Sequence, residues 1–80
     1  MDIREEVTRE TITRNVRRAM FEADLTQVAL AEQMTITRET LRHRLSGKKP
    51  FTTDELAQIA VATGVPFSDL VKVTGDPIAA

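Results

Sequence analysis

Residues 26–47, TQVALAEQMTITRETLRHRLSG, decide the fold of this 80-residue chain. In the first half of the stretch Leu30 and Met34 lie four residues apart, and in the second half Leu41 and Leu45 do the same. Residues at that spacing share one face of an α-helix, so each half predicts a short helix with one buried stripe. The second half also carries basic side chains on its outer side.

Two threonines mark the beginnings of these helices. Thr26 and Thr37 each stand where an N-cap residue would, with a hydroxyl that can accept a free backbone N–H. Only residues 34–36 separate the two patterns, which predict helices over about residues 27–34 and 38–46. Two helices joined by so tight a turn form a helix-turn-helix, whose second helix is offered to the major groove of DNA.

The rest of the chain also predicts helices and no strands. One helix precedes the stretch and ends near Ala23. Another opens with a capping box of Thr52 and Glu55 and stops at Gly64. A short last helix covers about residues 67–73. We therefore expect an all-α fold, a compact bundle of about five helices.

Phenylalanine is the chain's only aromatic residue type, at three positions. Phe51 and Phe67 flank apolar helices, so we expect both to close the core. Phe21 follows a core methionine and fits either the edge of the core or a contact surface.

The N-terminus shows a conflict of phase. On one continuous helix, Ile3 and Val7 would point nearly opposite to the apolar residues that follow. Either the helix breaks, or the two residues form a second stripe that needs a partner, most simply another copy of the chain. We divide the chain into an N-terminal extension or arm (residues 1–10), a helix-turn-helix domain (11–73) and a frayed tail (74–80).

Composition bounds the possible functions. The chain has no cysteine and one histidine, which excludes a thiolate metal site and argues against any metal or other cofactor. No apolar run approaches the roughly 20 residues of a membrane span, and no signal-peptide pattern is present. We expect a cytoplasmic protein with no small-molecule ligand. The chain has no glycine-rich phosphate loop, and its spacing suggests no histidine–carboxylate pair. We therefore do not expect an enzyme.

The distribution of charge matters more than its sum. The whole chain has a formal net charge of -1. Residues 38–49 nevertheless hold one acidic side chain, Glu39, and five basic ones: Arg38, Arg42, Arg44, Lys48 and Lys49. Such a run can be an ordinary solvated helix face. Because the basic excess falls on the segment that would face the groove, we interpret it as a nucleic-acid contact.

The segment from Gln27 to Leu70 resembles the Cro/repressor-type helix-turn-helix regulators of phages and bacteria, the XRE-like group. The matching pieces are Leu25-Thr26-Gln27, Leu30-Ala31-Glu32, Ile36-Thr37-Arg38, Leu41, Leu45-Ser46-Gly47-Lys48, Leu56, Ile59-Ala60 and Gly64-Val65. The part from Leu45 to Leu56 is similar to small regulators of actinobacterial phages. The resemblance implies a lambda-repressor-like domain that binds operator DNA, commonly as a dimer. It also implies a protein of a bacterial cell, associated with the nucleoid.

Two positions depart from the family pattern. The turn between the paired helices usually carries glycine, and here it is Thr35. A β-branched residue forced to positive φ costs on the order of 1 kcal/mol or more, so we expect an adjusted turn. Asp24 also replaces a frequent glycine, but aspartate tolerates that conformation better.

The resemblance places base readout at the start and on the outer face of the second helix. The implied positions are Arg38, Glu39 and His43, with Thr40 and Arg42 close by. Arginine can donate two hydrogen bonds to guanine, at O6 and N7, and glutamate can accept one from cytosine N4. We therefore expect Arg38 and Arg42 to read guanines. Glu39 either selects a cytosine or orients Arg42 or His43 along the helix.

Phosphate and dimer contacts are expected outside that face. The phosphate candidates are Thr26, Gln27, Thr37, Arg44, Lys48, Lys49 and Arg17. Arg17 fits equally a pair with Glu10 or Glu22, and Arg44 is expected to send its head to solvent or phosphate. The dimer candidates are Ile3, Val7, Val73 and Ile78.

Two functions follow from these patterns. The first is a sequence-specific transcription regulator, a phage or prophage repressor or Cro-like protein that binds double-stranded operator DNA as a homodimer. The second is a protein-interaction module of the same fold, such as an antitoxin or antirepressor partner.

Overall fold

The structure, a computed structural model, describes residues 8–73. That part of the chain contains five helices and no strand. The helices are α1 (Arg9–Glu22), α2 (Gln27–Met34), α3 (Arg38–Leu45), α4 (Thr53–Thr63) and α5 (Phe67–Val71). The expected all-α bundle of about five helices is confirmed.

Threonine begins four of the five helices. Thr8, Thr26, Thr37 and Thr52 are extended, and each hydroxyl accepts the backbone N–H of the residue three positions on. At Thr52 the reciprocal bond from its own N–H to the Glu55 carboxylate completes the predicted capping box. A cap of this kind stabilises a helix by about 1 kcal/mol.

The first helix begins slightly before the predicted domain boundary. Its N-cap is Thr8 and its first helical residue is Arg9. Ile3, Val7 and Ile78 lie outside the described residues. The division into arm, domain and tail stays a prediction.

All five helices contribute to one core. The buried apolar residues are Val16, Ala19, Met20, Leu30, Ala31, Met34, Leu41, Leu45, Leu56, Ile59 and Leu70. Phe51 packs against this cluster, as expected. The expectation for Phe67 is wrong: it is 40% exposed, because the fully buried Leu70 holds the core position of the five-residue α5. Phe21 is 85% exposed and lies on the surface.

A buried amide joins the two ends of the described chain. Asn15 of α1 is 5% exposed and donates from Nδ2 to the carbonyl oxygens of Leu70 (2.9 Å) and Lys72 (2.8 Å). These bonds satisfy carbonyls at the end of α5 that have no partner within the helix. This role of Asn15 was not predicted from the sequence.

The turn of the helix-turn-helix keeps glycine-like geometry without glycine. Thr35 has φ 61° and ψ 41°, in the left-handed region, so the expected adjustment does not occur. Its N–H donates to the carbonyl of Glu32, and the N–H of Ile36 donates to that of Ala31 (3.1 Å). These bonds close α2, which offsets the strain at Thr35. Asp24 is also left-handed, with φ 59°.

Candidate nucleic-acid interface

Helix α3 has one buried face and one charged face. Leu41 and Leu45 are buried against the core, whereas Arg38, Glu39 and Arg42 are exposed. His43 is partly exposed beside them. The outer face predicted from the spacing of the leucines is therefore the outer face of the structure.

Glu39 connects two of the predicted reading residues. Its Oε2 accepts from Arg42 Nη2 at 2.6 Å and lies 3.0 Å from His43 Nε2. The hydrogen bond and the charge of Arg42 lower the pKa of the Glu39 carboxyl, and Glu39 in turn raises the pKa of Arg42. We expected no histidine–carboxylate pair from the spacing, and this expectation is wrong. Glu39 and His43 form such a pair, because residues four apart on a helix are neighbours.

The observed cluster bears on the two roles left open for Glu39. Orientation of Arg42 and His43 matches the hydrogen bonds of the structure. Selection of a cytosine by Glu39 stays a prediction, because the second carboxylate oxygen can still accept a hydrogen bond.

A cleft separates the start of α2 from α3. It measures about 530 Å³ and is lined by Gln27, Val28, Arg38, Glu39 and Arg42. The structure thus brings a predicted phosphate residue, Gln27, together with both arginines that are predicted to read guanines.

The two capping threonines of this region have their hydroxyls engaged. Thr26 accepts from the Ala29 N–H at 3.1 Å, and Thr37 accepts from the Thr40 N–H at 3.0 Å. The hydroxyl of Thr37 also donates to that of Thr40 at 2.9 Å. Contacts of these three residues with DNA stay predictions.

Arg44 does not send its head into solvent. Its Nε and Nη2 donate to Oε1 and Oε2 of Glu55 at 3.0 and 3.1 Å, and its side chain is only 18% exposed. Burial raises the pKa of Glu55, but hydrogen bonds from Arg44 and from the Thr52 N–H outweigh it and leave that pKa lowered. The expectation that this head reaches solvent is wrong, because α4 places a carboxylate within its reach. A phosphate contact of Arg44 stays a prediction.

Two arginines of α1 hold the end of α3. Arg17 Nη2 donates to the carbonyl oxygen of Leu45 at 3.1 Å. Arg9 Nη1 donates to the carbonyl oxygen of Gly47 at 3.0 Å, with that of Lys48 at 3.5 Å. Within residues 8–73, Arg17 therefore bonds a helix end rather than Glu10 or Glu22. Arg9 was not among the predicted site residues, because helical periodicity does not reveal contacts between helices.

The remaining candidates differ in exposure. Lys48 and Lys49 are exposed directly after Gly47, which is in the left-handed conformation, with φ 84°. Val73 is partly buried. Among residues 8–73 there is no group of three or more side chains suited to hold a metal ion. No helix of that region has the length and apolar character to cross a membrane.

The comparisons with known proteins agree with this geometry. A family model described as helix-turn-helix matches residues 16–70, more than half of the chain. The match includes α2 to α4 completely, most of α5 and the second half of α1. No curated protein and no solved structure matches the chain.

Proposed function

This chain belongs to the XRE-type helix-turn-helix family of DNA-binding transcription regulators, and we propose that it recognises a specific operator as a dimer. In this proposal α3 enters the major groove with its charged face toward the bases. The observation that carries the proposal is the placement of Arg38 and Arg42 along one cleft with Gln27 at the start of α2.

The charges of the surface favour DNA as the partner. Glu55 neutralises Arg44, so Arg38, Arg42, Lys48 and Lys49 remain as the exposed cations of the region. One exposed carboxylate, Glu39, lies among them. A positive surface in a chain of net charge -1 attracts phosphates locally.

Both arginines keep donors that are available for the proposed base contacts. Arg38 makes no side-chain hydrogen bond within residues 8–73 and can grip a guanine with two bonds. Arg42 commits Nη2 to Glu39 and keeps further N–H donors for a second guanine. Thr40 and His43 lie on the same part of α3 and would contact neighbouring bases.

Phosphate contacts would fix the position of the protein on the duplex. Gln27 and Thr26 stand at the N-terminus of α2, where free N–H groups and the helix dipole favour a phosphate. Lys48 and Lys49 would contact the backbone beyond the other end of α3, and Thr37 would do so at its start.

One α3 covers only a few base pairs, so useful specificity needs two copies about one DNA turn apart. Val73, together with Ile3, Val7 and Ile78, remains our proposed dimer contact. A phage or prophage repressor or Cro-like protein in the bacterial cytoplasm fits this description.

Selection of preferred sites from a randomised duplex library, at roughly physiological salt, tests the proposal. We expect an enriched inverted repeat with half-sites about ten base pairs apart. The double variant Arg38→Ala/Arg42→Ala, confirmed as folded by circular dichroism, should lose the enrichment, because both side chains are exposed and read bases.

Other outcomes would change the proposal in defined ways. A single asymmetric half-site would keep DNA recognition and remove the dimer. No enrichment with a folded wild-type protein would overturn operator binding. It would favour the second candidate, a protein-interaction module, for which the exposed Phe21 and Val61 offer apolar contacts.

A further inference from the structure

The end of α3 is held by two different sets of donors. Within its last turn, the carbonyls of Arg42 and Arg44 accept from the backbone N–H groups of Ser46 and Gly47. The carbonyl of Leu45 instead accepts from the Arg17 side chain of α1 at 3.1 Å. A separate helix thus supplies a cap for the helix that faces DNA.

A second bond extends this attachment into the loop. Arg9, two turns before Arg17 on α1, donates to the Gly47 carbonyl at 3.0 Å. That carbonyl directly precedes Lys48 and Lys49, which carry proposed phosphate contacts.

The same side of α1 and the end of α3 line a cleft of about 750 Å³. Its residues are Thr8, Arg9, Glu10, Thr13, Arg14, Arg17, Ser46 and Gly47.

We propose that Arg17 and Arg9 are positioning residues for DNA recognition, which set the tilt of α3 without contacting phosphate themselves. This inference rests on the proposed function. The eight residues of α3 span about 12 Å, so a tilt of about 10° moves one end by about 2 Å. Such a shift exceeds the distance range of a hydrogen bond to a base.

A positioning residue and a phosphate contact affect binding differently. Loss of a phosphate contact weakens binding to all sequences and reduces the slope of log K against log salt. Loss of a positioning residue weakens the selected site, where base contacts need exact placement, and spares random DNA, where phosphates dominate.

The experiment measures the affinity of wild type and variants for the selected site and for a random duplex over a range of salt. For Arg17→Ala we expect about tenfold weaker binding to the selected site, little change on random DNA and an unchanged salt slope. Arg17→Lys should recover most of the loss, because an ammonium can also donate to the Leu45 carbonyl. Arg9→Ala, which frees a different carbonyl, should also lower the ratio of affinity for the selected site to affinity for random DNA. It provides a second test if Arg17→Ala is unfolded.

Arg14→Ala is the matched control. Arg14 is exposed and lines the same cleft, and within residues 8–73 it makes no side-chain hydrogen bond or ion pair. Its removal deletes the same charge from the same helix and should leave the ratio of selected to random binding unchanged.

Two results would overturn the inference alone. One is an equal loss on both duplexes with a shallower salt slope for Arg17→Ala, which identifies a phosphate contact. The other is an unchanged ratio for folded Arg17→Ala and Arg9→Ala. If wild type itself prefers no duplex, the proposed function fails, and the inference fails with it.

Discussion

Arg44 and Glu55 form a bidentate ion pair that joins α3 to the N-terminus of α4. The two nitrogen–oxygen distances are 3.0 and 3.1 Å, and Oε1 of Glu55 also accepts the Thr52 N–H at 3.0 Å. One carboxylate therefore completes the capping box of α4 and binds Arg44 of α3. Because both side chains are largely buried, 18% and 14% exposed, the pair links cap formation to the position of α3.

Replacement of Glu55 should destabilise the domain more than replacement of its neighbour. Glu55→Ala removes half of the capping box and leaves the Arg44 guanidinium partly buried without its partner, so we expect a loss of about 2–3 kcal/mol in the free energy of unfolding. Urea denaturation measures it. Asp54→Ala, an exposed acidic residue in the same turn, is the control and should cost well under half as much. Equal losses for the two variants would show that the ion pair contributes nothing.

The same carboxylate predicts how stability depends on pH. The pKa of Glu55 is lowered in the folded protein from its usual 4.5, so its contribution is fully present above about that pH. It is lost as the pH falls through the folded pKa, because the folded state then has to take up a proton at the ion pair. Urea unfolding of wild type and of Glu55→Gln between pH 7 and pH 3 measures the difference. The two curves should converge in acid; parallel curves would contradict the prediction.

Loss of Glu39 should change sequence preference at more than one base. In Glu39→Ala, Arg42 and His43 lose the acceptor that they share. We therefore expect weaker preferences at the base that Arg42 contacts and at the base that His43 contacts. Site selection with the variant measures this. Glu32→Ala, which removes an exposed carboxylate from α2, should leave the preferred site unchanged. A change confined to one cytosine position would favour direct readout by Glu39, and no change at any base would exclude both roles.

The left-handed Thr35 predicts a stabilising substitution. Thr35→Gly removes the clash of a β-branched side chain at φ 61°, worth roughly 1–2 kcal/mol, and costs roughly 0.5–1 kcal/mol in chain entropy. Because Thr35 is exposed, little packing is lost, and we expect a net gain of about 0.5–1 kcal/mol in the free energy of unfolding. Asp24→Gly should gain less, since aspartate tolerates the same conformation. A lower thermal midpoint for Thr35→Gly would contradict the argument.

The local features of the fold were predictable from the sequence. The caps at Thr26, Thr37 and Thr52 and the end of α4 at Gly64 were all expected and are all observed. Each depends on interactions between residues a few positions apart, which are written directly in the order of the residues. The buried stripes followed for a similar reason, because helical periodicity assigns side chains to faces.

The partners across the bundle depended on how the helices pack. Arg44 with Glu55, Arg17 with the Leu45 carbonyl, and Asn15 with the Leu70 carbonyl join residues 11, 28 and 55 positions apart. Periodicity states which face a side chain occupies, but the element opposite that face depends on the angles and distances between packed helices. For this reason the intramolecular hydrogen bonds of Arg17 and Arg44, two arginines expected at phosphates, could not be predicted from the sequence.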